Sequence, residues 1–169
     1  MDKKKLDEIY EKVYFKMLNF ISYRIRSEKE ITDRLEKYLS KYRYSTDDVE
    51  SIRSNTISKL EDAGYLDDLE FASFYIRSLV TSKKPVSEMK IFQFLLKKGI
   101  SKDIINSAMS ELPPEFLLQN AIKDGEKKVK SLKNLDKSDK YALRRKLSEY
   151  LYRKGYPSSV IHSVIDSLL

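Results

Sequence analysis

The sequence predicts an all-α protein built as a tandem array of three three-helix repeats, with a period of about 56 residues, elongated and curved. Three observations carry this expectation. Charged residues make up 35% of the 169, against only four Gly and four Pro, a balance that favours long helices over sheets with many turns. Apolar residues recur at three- and four-residue spacing, the mark of amphipathic helices. Finally, the line KKGISKDIINSA, Lys97 to Ala108, returns as RKGYPSSVIHSV, Arg153 to Val164.

The returning line fixes the period. Gly99 and Gly155 stand 56 residues apart, and the same step back from Gly99 lands on Arg43, inside KYRYSTDDVESI. The glycine is absent there, but its neighbours register: Tyr44, Ile100 and Tyr156; Val49, Ile105 and Ile161; Ser51, Ser107 and Ser163; Ile52, Ala108 and Val164. Upstream the offset aligns Leu35, Ile91 and Leu147, then Tyr38, Phe94 and Tyr150, then Leu39, Leu95 and Leu151. Six of these columns are apolar in every copy, so a third, worn copy is present.

Each copy reads as three helices. In the first they run Lys5–Tyr23, Glu28–Lys41 and Thr46–Asp62. In the second they run Asp68–Thr81, Val86–Lys98 and Lys102–Glu111, and in the third Pro114–Lys133, Ser138–Lys154 and Ser158–Leu168. The repeats are accordingly expected at 1–63, 64–112 and 113–169. Gly99 and Gly155 fall just past a helix, where a left-handed residue closes it at little cost. Ser101 and Pro157 then open the next helix, one as an N-cap and the other through its fixed φ.

GYLDDLEFASFYI has the fullest local grammar. Gly64 ends one helix, Asp67 caps the next, and Glu70 three residues on completes a capping box. Leu66 before the cap is set to pack on Phe71 as a hydrophobic staple. Asp67, Asp68 and Glu70 also resemble a metal cluster, but acids crowded into one helix start are accounted for by capping and the helix dipole.

Composition bounds the function. With no cysteine, disulfides, a thiol nucleophile and thiolate zinc sites are excluded, which fits a reducing cytoplasm. The start, MDKKKLDEIYEK, lacks the apolar core of a signal peptide, and no run of about 18 apolar residues is available to span a membrane.

Several stretches resemble one family. GYLDDLEFASFY (Gly64–Tyr75) is similar to the central signature of the RecX family, regulatory proteins of the RecA recombinase. YRIRSEKEITDRL (Tyr23–Leu35) resembles its Arg-x-Arg-Ser-x-x-Glu segment. LLKKGISKDIINSAM (Leu95–Met109) and LYRKGYPSSVIHSVI (Leu151–Ile165) resemble its second and third corners. The likeness runs from about Phe15 to Leu168, with the motifs in order. Arg43 departs from the usual first-corner glycine, Ile25 stands where a proline is common, and Glu115–Asp136 matches poorly. The resemblance implies a non-enzymatic modulator that binds the RecA–DNA filament along its groove and mainly restrains recombinase, ATPase and co-protease activity. It implies a cytoplasmic place in recombinational DNA repair and the SOS response. The partners expected are the RecA filament and single- and double-stranded DNA through phosphate. No cofactor and no membrane partner are expected, and the chain is expected to be a monomer.

Charge is concentrated in the third copy. Between Lys123 and Lys154 there are 12 Lys and Arg against 5 Asp and Glu, whereas residues 1–122 carry 21 basic and 20 acidic groups. In the first helix of that copy Leu118, Ala121, Ile122, Gly125, Val129 and Leu132 fall on one arc, with Lys123, Lys127 and Lys130 opposite. Gly125, on the apolar arc, allows another helix close approach. A row of exposed lysines either neutralises phosphate, releasing counterions, or is simply a solvated face. Lys128, Arg144, Arg145, Arg153 and Lys154 extend the candidate surface. Arg145 points away from the apolar side of the second helix, whereas Arg144, Lys146 and Arg153 flank it, where the alternative reading is that they simply snorkel. Arg24 and Arg26, before the Ser27–Glu30 capping box, match the family motif and are candidates for filament contact. The bland reading has them compensating exposed carbonyls at a helix end. Most of the 12 tyrosines read as packing residues, although exposed rings also offer stacking surfaces.

Enzyme classes fail on inventory. His162 is the single histidine and reads as a surface or boundary residue. There is no G-x-x-x-x-G-K-[ST] and no G-x-G-x-x-G, hence no nucleotide cradle. A DNA-binding array acting without RecA and a generic helical adaptor remain as alternatives.

Overall fold

The computed structural model describes residues 3–132 and 140–169. Among the described residues there are nine α-helices and no strand: α1 Lys3–Ile21, α2 Glu28–Leu39, α3 Thr46–Asp62, α4 Asp68–Thr81, α5 Glu88–Lys97, α6 Lys102–Met109, α7 Phe116–Ser131, α8 Lys140–Lys154 and α9 Ser158–Leu168. The repeated three-helix arrangement expected from the period is present. No helix among the described residues is long and apolar enough to cross a membrane.

Caps set the starts. Ser27 Oγ accepts from Glu30 N at 3.3 Å, Ser45 Oγ from Asp48 N at 3.2 Å, Asp67 Oδ1 from Glu70 N at 2.9 Å and Ser101 Oγ from Ile104 N at 3.3 Å. Each satisfies one of the orphan donors of a first helical turn. Pro157, with φ −64°, opens α9, and its carbonyl accepts from Ile161 N. The bounds of α3, α4 and α9 agree with the sequence reading. Helix α1 begins and ends two residues earlier than expected, and α2, α5, α6 and α7 contract by one or two residues at one or both ends. The expected ends at Lys133 and Ser138 lie outside the described residues.

Two contractions have clear causes. Val86 does not begin α5, because Ser87 is fully buried and caps the helix instead; its hydroxyl donates to the Lys154 carbonyl while its own carbonyl accepts from Ile91 N. Helix α2 stops at Leu39 rather than Lys41, in the copy that lacks the corner glycine. No residue other than glycine has a positive φ among the described residues. The chain there leaves through an ordinary turn, with Tyr42 N donating to Leu39 O at 3.0 Å.

The chain divides into two compact units. The first comprises Met1–Ala72 and Lys98–Ile104. Its core gathers Val13 and Met17 of α1, Ile31, Leu35 and Leu39 of α2, Ile52 and Leu60 of α3, and Leu66. Burying each such aliphatic side chain contributes about 1.5–3 kcal/mol. The second unit comprises Ser73–Lys97 and Ile105–Leu169. Here Ala121 of α7, Leu147 and Leu151 of α8, Tyr156, and Ile161, Val164 and Ile165 of α9 form a core. A Cβ on Gly125 would come within 2.9 Å of Leu168 Cδ1 and 3.0 Å of Val164 Cγ1, so α9 lies directly on α7 at the expected point.

One corner geometry occurs once in each unit. Gly99, at φ +85°, sits on Lys29 at the start of α2, and Gly155, at φ +89°, sits on Met89 at the start of α5. Lys29 and Met89 are each the second residue of their helix. The glycine therefore does two jobs at each corner. It turns the chain, and it lets the corner backbone lie against another helix's first turn.

Candidate nucleic-acid interface

Helix α7 positions the lysine row. Its apolar side is held by Ala121 and Gly125, both buried, and by Leu118, Ile122 and Val129, which are half-buried. That fixes Lys123, Lys127 and Lys130 on the opposite side, and all three are exposed. None has a carboxylate partner among the described residues. At 1.5 Å rise per residue the row spans about 10 Å, a length over which one strand of duplex DNA carries about three phosphates. The arrangement is a line of unneutralised charge on a rigid element.

The other candidates of this unit differ in how free they are. Arg153 is exposed and has no ion pair among the described residues. Arg144 pairs with Asp166 at 2.7 Å, and Arg145 lies 3.9 Å from Glu149; both pairs are exposed and contribute little to stability. The Lys128 ammonium lies 5.4 Å from the centre of the Tyr150 ring. Lys154 is engaged more deeply.

Lys154 Nζ stands 3.6 Å from Asp124 Oδ1, and the buried Tyr156 hydroxyl donates to Asp124 Oδ2 at 2.9 Å. Asp124 is only 4% exposed. A carboxylate there needs both partners, because an unpaired charge away from water is expensive. Burial first, and then the Asp124 carboxylate, pushes the Tyr156 hydroxyl up, so it stays a neutral donor. Burial would lower the Lys154 ammonium, but Tyr150 and Asp124 beside it raise it instead. Asp124 escaped the sequence reading. The available signal was a carboxylate next to Gly125 on the buried side of the helical wheel.

Arg24 and Arg26 belong to the first unit and are both spoken for by its own groups. Arg24 grips Glu30 with two bonds, at 2.7 and 3.1 Å, and donates to the Ile25 carbonyl at 3.0 Å. Glu30 also receives Lys98 Nζ at 2.5 Å. Burial alone would raise the Glu30 carboxyl, but the bonds from Arg24 and Lys98 prevail and hold it at about 2. Arg26 lies with its guanidinium 3.9 Å from the centre of the Phe20 ring and donates to the Phe20 carbonyl at 3.3 Å. Burial, followed by the adjacent Arg24 charge, lowers the Arg26 pKa. Among the candidates, then, Lys123, Lys127, Lys130 and Arg153 combine exposure with an unneutralised charge.

His162 is exposed, and among the described residues no group of three His, Cys, Asp or Glu side chains is set to hold a metal ion. Fold and surface together define an all-helical repeat protein with a basic, water-facing helix. A family model described as "RecX, third three-helix domain" matches residues 115–165. A protein of Listeria monocytogenes named Regulatory protein RecX is 36% identical over 147 residues, covering 86% of this chain and 49% of its own length. A protein of the same name from Bacillus mycoides is 34% identical over 164 residues, covering 96% of this chain and 56% of its own. The chain thus spans about half the length of these relatives. The fold is similar to the crystal structure of RecX from Lactobacillus salivarius, at a TM-score of 0.78 and 23% identity, over 96% of this chain and 97% of that one. The chain belongs to the RecX family.

Proposed function

We propose that this chain is a non-enzymatic regulator that binds the RecA–DNA filament and mainly restrains its recombinase, ATPase and co-protease activities. The observation that carries the nucleic-acid half is the row of Lys123, Lys127 and Lys130, exposed and without carboxylate partners among the described residues. Phosphate neutralisation by such a row gives affinity that falls steeply with salt. The RecA half is supported by the name shared by the relatives, Regulatory protein RecX. The repeats run 1–63, 64–112 and 113–169 in this proposal, and the basic third repeat lies against phosphate, with Arg153 beside the row. Arg24 and Arg26 serve the filament through the corner that they brace. The chain acts as a monomer in the cytoplasm.

A second reading rests on the same lysines: a sequence-nonspecific DNA binder that works without RecA. The two separate by titrating a fluorescent single strand, bare or coated with RecA from the same organism, and reading anisotropy. The regulator binds the coated strand at clearly lower concentration. Equal affinity for both forms overturns the RecA half and leaves a DNA-binding repeat protein.

A further inference from the structure

A second basic surface lies far from the lysine row in sequence, within the first unit. Helices α1 and α2 there enclose an open cleft of about 310 Å³, near the lower end of the about 300–1,000 Å³ usual for small-ligand clefts. Lys16, Phe20 and Tyr23 come from α1 and the turn after it, and Arg34, Tyr38 and Lys41 from α2 and the turn that closes it. Lys37 joins Arg34, Tyr38 and Lys41 in an adjoining depression. Among the described residues no Asp or Glu lines either hollow. Lys16, Arg34, Lys37 and Lys41 are all exposed, and none makes an ion pair among the described residues.

Glu30, Asp33 and Glu36 of α2 are committed elsewhere. Asp33 pairs with Lys29, Glu36 with Arg53, and Glu30 with Arg24 and Lys98. What remains on this side is a patch of cations among aromatic rings. Arg34 is oriented by Phe20, whose ring centre lies 5.1 Å from its guanidinium, and Lys16 lies 5.2 Å from the centre of the Tyr38 ring. Tyr23, at the mouth, is 84% exposed. An aromatic side chain so open to water has a face available for stacking.

We propose that this cleft is a binding site for single-stranded DNA, in which one base stacks on Tyr23 and Arg34, Lys37 and Lys41 take the flanking phosphates. Cations along a groove with an exposed ring are the two parts that single-strand recognition uses. A duplex keeps its bases stacked inside and has none to offer Tyr23. An acidic peptide would engage the cations but leave the ring idle. The site rests on the nucleic-acid half of the proposed function and extends it, giving the chain two separate phosphate contacts rather than one.

The chain contains no tryptophan, so Tyr23→Trp places a single reporter at the mouth of the cleft. The full chain carrying it is titrated with a labelled oligothymidylate, reading tryptophan emission and oligonucleotide anisotropy together. Emission is expected to fall as the strand binds. Adding Arg34→Glu and Lys41→Glu is expected to remove the quench, weaken binding about tenfold and lower the salt slope by about two. Both positions face water, and circular dichroism verifies that the variant is folded. Binding seen by anisotropy with emission unchanged overturns the site and leaves the proposed function standing. Equal quenching by polyglutamate overturns it in favour of an acidic protein partner. Absence of binding in both readouts, with RecA present or absent, removes the site and the proposed function together.

Discussion

A Cβ placed on Gly99 would lie 2.6 Å from the Cβ of Lys29. Gly155 stands in the same relation to Met89, again at 2.6 Å. Each contact is with a Cβ, which is fixed by its backbone and cannot swing away like a side-chain tip. The corner glycines are thus held by two demands at once, a left-handed φ and the absence of a side chain.

Gly64 separates those demands, since it has φ +71° but, among the described residues, nothing within 4 Å of an added Cβ. Gly64→Ala is expected to cost about 1 kcal/mol from backbone conformation alone. Gly99→Ala and Gly155→Ala add overpacking and are expected to cost about 2–4 kcal/mol each. Urea denaturation of the three variants checks this. Equal losses would mean that the corner contacts relax freely.

Acid should act through Glu30. Its folded pKa of about 2 lies below the unfolded value of about 4.3. The ionised form therefore stabilises the fold above about pH 4.3, and that contribution drains away as pH falls toward 2. Allowing for screening of the half-exposed Arg24, it amounts to about 2 kcal/mol. Glu30→Gln should lose that much at neutral pH and show a shallower decline between pH 4 and 2. Parallel curves for variant and parent would contradict the assignment.

The Asp124 cluster gives a third expectation. Tyr156→Phe removes one of two partners from a buried carboxylate, leaving Lys154 alone. A loss of about 1–3 kcal/mol follows, with the filament interaction unaffected once the protein is folded. Thermal melts together with a RecA-filament binding assay measure both.

Reversal of the row, with Lys123, Lys127 and Lys130 each changed to Glu, should weaken inhibition of RecA and reduce the salt slope of DNA binding by about three. Helicity should not change, because all three side chains face water. Undiminished inhibition by a folded triple variant would remove the row from the proposal.

Much of the fold was legible because the repeat writes its core in register. Leu35, Ile91 and Leu147 share one column and are all fully buried, as are Leu95 and Leu151 of a second. Helix ends were less legible where a long-range contact decides them. Ser87 sets the start of α5 two residues later than the pattern by reaching Lys154, 67 residues away, and no local pattern announces that. For the candidate site, the exposure of the lysine row followed from the wheel of α7 alone. Which other cations were already neutralised did not, since Arg144 meets Asp166 and Lys154 meets Asp124 only through folding. The α1–α2 cleft was hidden by averaging. Near-equal counts of acids and bases over residues 1–122 conceal that Glu30, Asp33 and Glu36 of α2 are paired away from the cleft. The spacing of Lys16, Asn19, Phe20 and Tyr23, and of Arg34, Lys37 and Lys41, held the signal.

The central claim is that a RecA filament, not bare DNA, is the target. Its most direct test is single-strand-DNA-stimulated ATP hydrolysis by RecA from the same organism, titrated with this protein beside a control in which the DNA meets the protein first. Hydrolysis should fall at protein levels well below those that coat bare DNA. A fall that begins only when the DNA itself is saturated would contradict the claim and assign the effect to DNA binding alone.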